Sequence, residues 1–85
     1  MDASYIYDIF EATEKNRDND LLIGMAKLKA VKPLPEGMDE RELCLFIGKH
    51  YHELVEAYAA RDLAVMEEVV LACEEQDAED AKEAE

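Results

Sequence analysis

Residues 57–70 read AYAARDLAVMEEVV, and the phase of the apolar positions changes in the middle of them. Upstream, at about 100° per residue, Leu43, Cys44, Phe46, Ile47, His50, Tyr51, Leu54, Val55, Ala57 and Tyr58 fall on one broad side of a helix, with Lys49, Glu53, Glu56 and Ala60 as the polar strip. Continuing that stripe would put Asp62 inside it, whereas Leu63, Met66, Val70 and Cys73, with Val65 and Val69, define a new one. The pattern predicts a hairpin: a helix over 39–61, a turn at Arg61 and Asp62 with Asp62 as the cap, and a helix over 63–76 folding back. The alternative is one continuous helix to about residue 82 in a coiled-coil dimer, but the apolar seam does not hold its register across Arg61. A stripe covering more than half of helix 39–61 needs neighbours on two sides, which makes this the central helix. Gly48 falls inside the stripe, where it lowers helix propensity and is expected to permit close backbone approach.

Upstream of this pair, Pro33-Leu34-Pro35-Glu36-Gly37 is a linker, because proline lacks the amide donor and biases its predecessor away from helix. Asp39 followed by Glu42 has the spacing of a capping box, with Asp in place of Ser or Thr. A first helix is expected over 3–16, with Tyr5, Ile6, Ile9, Phe10, Ala12 and Thr13 on one side and Asp8, Glu11, Glu14 and Lys15 on the other. After the turn residues 16–20, Asp20 can cap a second helix over 20–31 that buries Leu21, Leu22, Met25, Ala26 and Leu28. The fold class expected is therefore all-α. A small four-helix bundle built from two helical hairpins occupies residues 1–76 as a single domain.

Composition bounds the function. The 85 residues hold 22 Asp and Glu against 9 Lys and Arg, a net charge of −13, yet 49% are hydrophobic, so the body folds rather than remaining disordered. Seven acids against Lys82 in residues 74–85 give that segment a net −6, and residues 77–85 are expected to form a disordered acidic C-terminal tail, since carboxylates near a helix C-terminus oppose its dipole. Residues 15–32 are net +3, so opposite ends can attract within a chain or across a homodimer. The acidity argues against direct binding to nucleic acid or to anionic membranes. Met1-Asp2-Ala3-Ser4 lacks the features of a signal peptide, and with only Cys44 and Cys73 the expectation is a cytoplasmic protein with reduced thiols.

Catalytic equipment is sparse: Ser4, Thr13, two Cys and two His. The hairpin places Cys73 near the level of His50, a pair read as a buried thiol beside a backbone-bonded histidine rather than a reactive cysteine. Cys44 lies too far along the helix axis from Cys73 for a disulfide. His50, His52 and Glu53 lack metal-ligand spacing, and no phosphate-cradling glycine motif occurs. No enzyme activity, cofactor or metal is expected.

The informative constellation is on the last helix. Glu67, Glu68, Glu74 and Glu75 stand at i−4, i−3, i+3 and i+4 from Leu71, ringing an apolar side chain on the solvent face with carboxylates. Tyr7, beside Glu11 and Glu14, is a second expected anchor. These residues point to a non-enzymatic protein-interaction module, an adaptor or inhibitor, docking on a basic protein surface. One alternative is a nucleic-acid mimic that inhibits a nucleic-acid-binding enzyme or defence complex, as some small proteins of mobile elements do. A second is a small homo-oligomeric assembly subunit that buries Leu71 or Tyr7.

Overall fold

Four aspartates start helices. Asp2 accepts from the Tyr5 amide at 3.2 Å, Asp20 from Leu22 at 2.8 Å, Asp39 from Arg41 at 2.7 Å, and Asp62 from Ala64 at 2.9 Å. Each satisfies an amide that the helix itself leaves without a partner. In the computed structural model, which describes residues 1–83, the helices are α1 (Ala3–Lys15), α2 (Leu21–Val31), α3 (Glu40–Lys49), α4 (Tyr51–Ala59) and α5 (Leu63–Glu83). The all-α class and the two hairpins are as the sequence indicates. α1 packs on α2 and α5, and α4 packs back on α5.

The core is one cluster. Tyr5, Ile6, Ile9 and Phe10 from α1 meet Leu43, Phe46 and Ile47 from α3, Leu54 and Ala57 from α4, and Met66, Val70 and Cys73 from α5. Polar links lock the helix ends over it. The Tyr5 hydroxyl donates to the Lys32 carbonyl at 2.8 Å, and Lys32 pairs with Asp8. Arg61, at the hairpin turn with φ of 55°, reaches both carboxylate oxygens of Glu14 at 2.7 Å and lies 4.1 Å over the Tyr58 ring. A non-glycine residue at positive φ is disfavoured, and here an ion pair from Nη2, shared between the two carboxylate oxygens, and a cation–π contact hold it.

Three expectations on helix detail are corrected. The predicted helix 39–61 breaks at His50, whose φ of −110° and ψ of 26° are not helical. The break falls two residues after Gly48, the weakest helix former of the segment, and at the residue whose ring is held by Asp77 on α5 at 2.9 Å. It turns part of the predicted stripe outward, so that Tyr51 and Val55 are exposed. On α2 the buried positions are Gly24 and Met25, while Leu22 and Ala26 face out. That ridge faces α1, because Gly24 seats against Thr13 with no room for a side chain.

Residues 77–83, assigned from charge to the tail, continue α5 as helix; Ala84 and Glu85 lie outside the described residues. The reason is local neutralisation from another element. Lys49 Nζ donates to Asp77 at 2.7 Å and to Asp80 at 3.2 Å, and Gln76 donates to Asp80 at 3.0 Å. Asp77 and Asp80 share one face at i, i+3, so a single lysine offsets the repulsion expected to fray this turn. At 1.5 Å per residue the 21-residue α5 runs about 30 Å, most of the 41 Å long axis of the molecule.

The Lys49 ammonium, with the His50 ring beside it, holds the Asp77 carboxyl below its ordinary 3.8, and Lys49 and Gln76 lower Asp80 likewise. Depressed carboxylates contribute stability that is complete above 3.8 and is lost as pH falls through their lower folded-state values. Asp77→Asn should therefore cost about 1 kcal/mol at neutral pH through the lost charged hydrogen bonds and flatten the acid limb of the stability curve. Urea unfolding at a series of acidic pH values measures both; an unchanged acid limb would show that the clamp does not stabilise α5.

Candidate protein-docking surface

Leu71 is 57% exposed on α5, and Glu67, Glu68 and Glu75 around it are exposed without an ion pair among the described residues. Glu74 differs: its Oε2 accepts from the Met1 amine at 2.9 Å, and it is half-buried. The expected ring is thus an open arc of three free carboxylates with its fourth member tied to the start of the chain. Beside Leu71, a cavity of about 390 Å³ opens among Met1, Asp2, Ser4, Glu67 and Glu74.

Tyr7 is not the exposed anchor its position beside Glu11 and Glu14 suggested. It is half-buried, edge-on to Tyr58 with ring centroids 5.1 Å apart, and Tyr58 in turn stacks on Phe10 at 5.5 Å. Its ring serves the α1–α4 contact, away from the Leu71 arc on α5.

His50 and Cys73 do line one groove, between α4 and α5. The histidine partner is a carboxylate rather than the backbone: Nε2 meets Asp77 Oδ1 at 2.9 Å. Burial raises the Cys73 thiol pKa, reinforced by Glu53 and Asp77, which is the opposite of what an activated nucleophile requires. Burial raises Cys44 too, and its Sγ lies 4.0 Å from Met25 Sδ. Among the described residues no three His, Cys, Asp or Glu side chains are disposed to hold a metal ion, and no helix is long and apolar enough to cross a membrane.

One surface escaped the sequence reading. Leu22 on α2 (56% exposed), Leu45 on α3 (65%) and Tyr51 on α4 (47%) border a cavity of about 390 Å³ floored by Met25, Cys44 and Ile47. Asp20 is its single ionisable wall residue apart from Cys44 and Tyr51, and it is occupied as the α2 cap. Leu45, off the predicted stripe, and the adjacent Leu22-Ile23 pair were the available signals. What hid them is that the outward turn of α2 depends on Gly24.

Five of the nine Lys and Arg are spent on pairs inside the molecule. Lys27 pairs with Asp18, Lys29 with Glu40, Lys32 with Asp8, Lys49 with Asp77 and Asp80, and Arg61 with Glu14. The lysines of α2 and its C-terminal end are thereby paired, while Lys15 and Arg17 stay exposed without an ion pair among the described residues, and α5 carries the longest run of carboxylates. Comparison with protein-family models, with curated proteins and with solved structures finds no match.

Proposed function

We propose that this protein is a non-enzymatic acidic interaction module, an adaptor or inhibitor that docks its α5 face on a basic protein surface. The observation that supports this is Leu71, exposed at the centre of the free carboxylates of Glu67, Glu68 and Glu75. Long-range attraction speeds encounter with a positive surface, and an apolar anchor inside the charged arc slows release. Affinity capture from lysate with wild type and Leu71→Ala in parallel, at low and moderate salt, tests it. A basic protein retained by wild type and reduced about tenfold or more by Leu71→Ala is expected, as for a hot-spot residue; equal retention by both would remove Leu71 as the anchor.

The helical continuation of α5 favours a second reading, the nucleic-acid mimic, since its carboxylates are on a rigid rod instead of a loose tail. From Glu67 to Glu83 the helix carries eight carboxylates over about 24 Å, roughly one per 3 Å against about one per 1.7 Å in duplex DNA. Two of them, Asp77 and Asp80, are engaged by Lys49. At about half the charge density of the ligand it would imitate, the mimic stands second. In the same capture experiment it predicts a nucleic-acid-binding partner that Leu71→Ala retains and moderate salt releases.

A further inference from the structure

The groove between α4 and α5 has a floor and walls of different chemistry. Its floor is apolar and mostly small: Ala57 and Cys73 are buried, Val65 and Val69 are half-buried, and Ala72 is open to solvent. The α4 wall presents Glu53 and Glu56, both exposed and neither in an ion pair among the described residues. On α5, Glu68 and Glu75 stand at i−4 and i+3 from Ala72, so helix periodicity puts them just outside the cavity lining, on the side of α5 turned away from α4. The cavity volume is about 510 Å³, and α4 with its nine residues gives it a length of about 13 Å.

We infer that this groove seats an amphipathic helix of a partner protein, whose apolar ridge lies on Ala57, Val65, Val69 and Ala72 while Lys or Arg on both flanks meet Glu53, Glu56, Glu68 and Glu75. The inference rests on the interaction reading above and names the partner element. Small floor residues let a helix approach closely, and two to three turns supply ridge positions at i, i+4 and i+7. Carboxylates along both edges select cationic flanks and repel nucleic acid or anionic lipid. A second copy of the chain fits poorly, because it is itself at −13: five of its nine Lys and Arg are committed to internal pairs, and the other four, Lys15, Arg17, Arg41 and Lys82, are not gathered on one helix that could flank an apolar ridge. Leu71 lies beyond the Glu68 and Glu75 edge, so it contacts the body of the partner and not the seated helix.

The probe is a labelled synthetic helix of about 16 residues with a Leu ridge and Lys flanks, measured by fluorescence anisotropy with the full chain. A control peptide carries the same lysines but Ser along the ridge. The Leu-ridge peptide should bind, with the control about tenfold weaker or worse. Ala72→Arg, which puts a bulky cation of the protein's own between the walls, should weaken binding by about tenfold or more; Glu53→Gln with Glu56→Gln should weaken it and flatten its salt dependence. Ala72 is exposed on a helix, and circular dichroism checks that the fold survives. Leu71→Ala should leave peptide binding within about twofold. Equal binding of both peptides, undiminished binding by Ala72→Arg, or no binding of the Leu-ridge peptide would each overturn the groove. If Leu71→Ala abolishes peptide binding while Ala72→Arg preserves it, docking belongs to the Leu71 face: the groove falls and the interaction reading stands. The interaction reading fails separately, in the lysate capture, if wild type retains no basic protein.

Discussion

Leu54→Ala is expected to lower the unfolding free energy by about 3 kcal/mol, the usual cost of emptying a fully buried leucine site. Leu54 has no solvent exposure and sits on α4, which packs on both α5 and α1. Alanine is at least as good a helix former as leucine, so the loss reports packing alone. At roughly 0.05 to 0.15 kcal/mol per residue, a chain of this length has about 4 to 13 kcal/mol in total, and the substitution removes a quarter or more of it. The thermal midpoint should fall by roughly 12 to 24 °C. In urea the transition midpoint should drop with little change in slope. A loss below about 1 kcal/mol would mean that α4 is loosely seated, and the α4–α5 groove would then lack a fixed wall.

What could be read from the sequence was what is decided within a few residues. Asp20, Asp39 and Asp62 cap amides two or three positions ahead, so the helix starts were legible from side-chain type and spacing. The turn at Arg61 was legible because two apolar stripes differ in phase on either side of it. The continuation of α5 was not, because the group that neutralises Asp77 and Asp80 is Lys49, 28 and 31 residues away. Charge counting within the segment registers only the repulsion. Tyr7 was misplaced for a similar reason: its neighbours on α1 are acidic, but the surface it packs on is Tyr58 of α4. For the candidate surface, the carboxylates around Leu71 follow from helix periodicity, whereas the α4 wall of the groove exists only once the hairpin has closed.

The close backbone approach that the sequence suggests at Gly48 is found at Gly24 instead, and substituting each with alanine separates the two. Gly48 was expected to permit close backbone approach, but a Cβ built there meets nothing within 4 Å. A Cβ on Gly24 would lie 2.9 Å from Thr13 Cβ and 3.0 Å from Thr13 Cα, inside the contact limit of real side chains. Two opposing contributions act at Gly24. Alanine favours the helical state by up to about 1 kcal/mol, while forcing α2 away from α1 costs about 1 to 3 kcal/mol or more as overpacking. The backbone of α1 cannot yield as a flexible side chain would, so the steric term wins, and Gly24→Ala should destabilise by about 2 kcal/mol. At Gly48 only the propensity term operates, and Gly48→Ala should stabilise by about 0.5 to 1 kcal/mol. Adding Thr13→Ala to Gly24→Ala deletes the Oγ1 obstruction but leaves Cβ and Cα in place, so it should recover only part of the loss. Urea unfolding of the three variants beside the wild type gives the result directly. Equal and positive shifts for Gly24→Ala and Gly48→Ala would show that α1 and α2 do not cross closely at Thr13, and the outward turn of Leu22 that depends on this crossing would lose its basis.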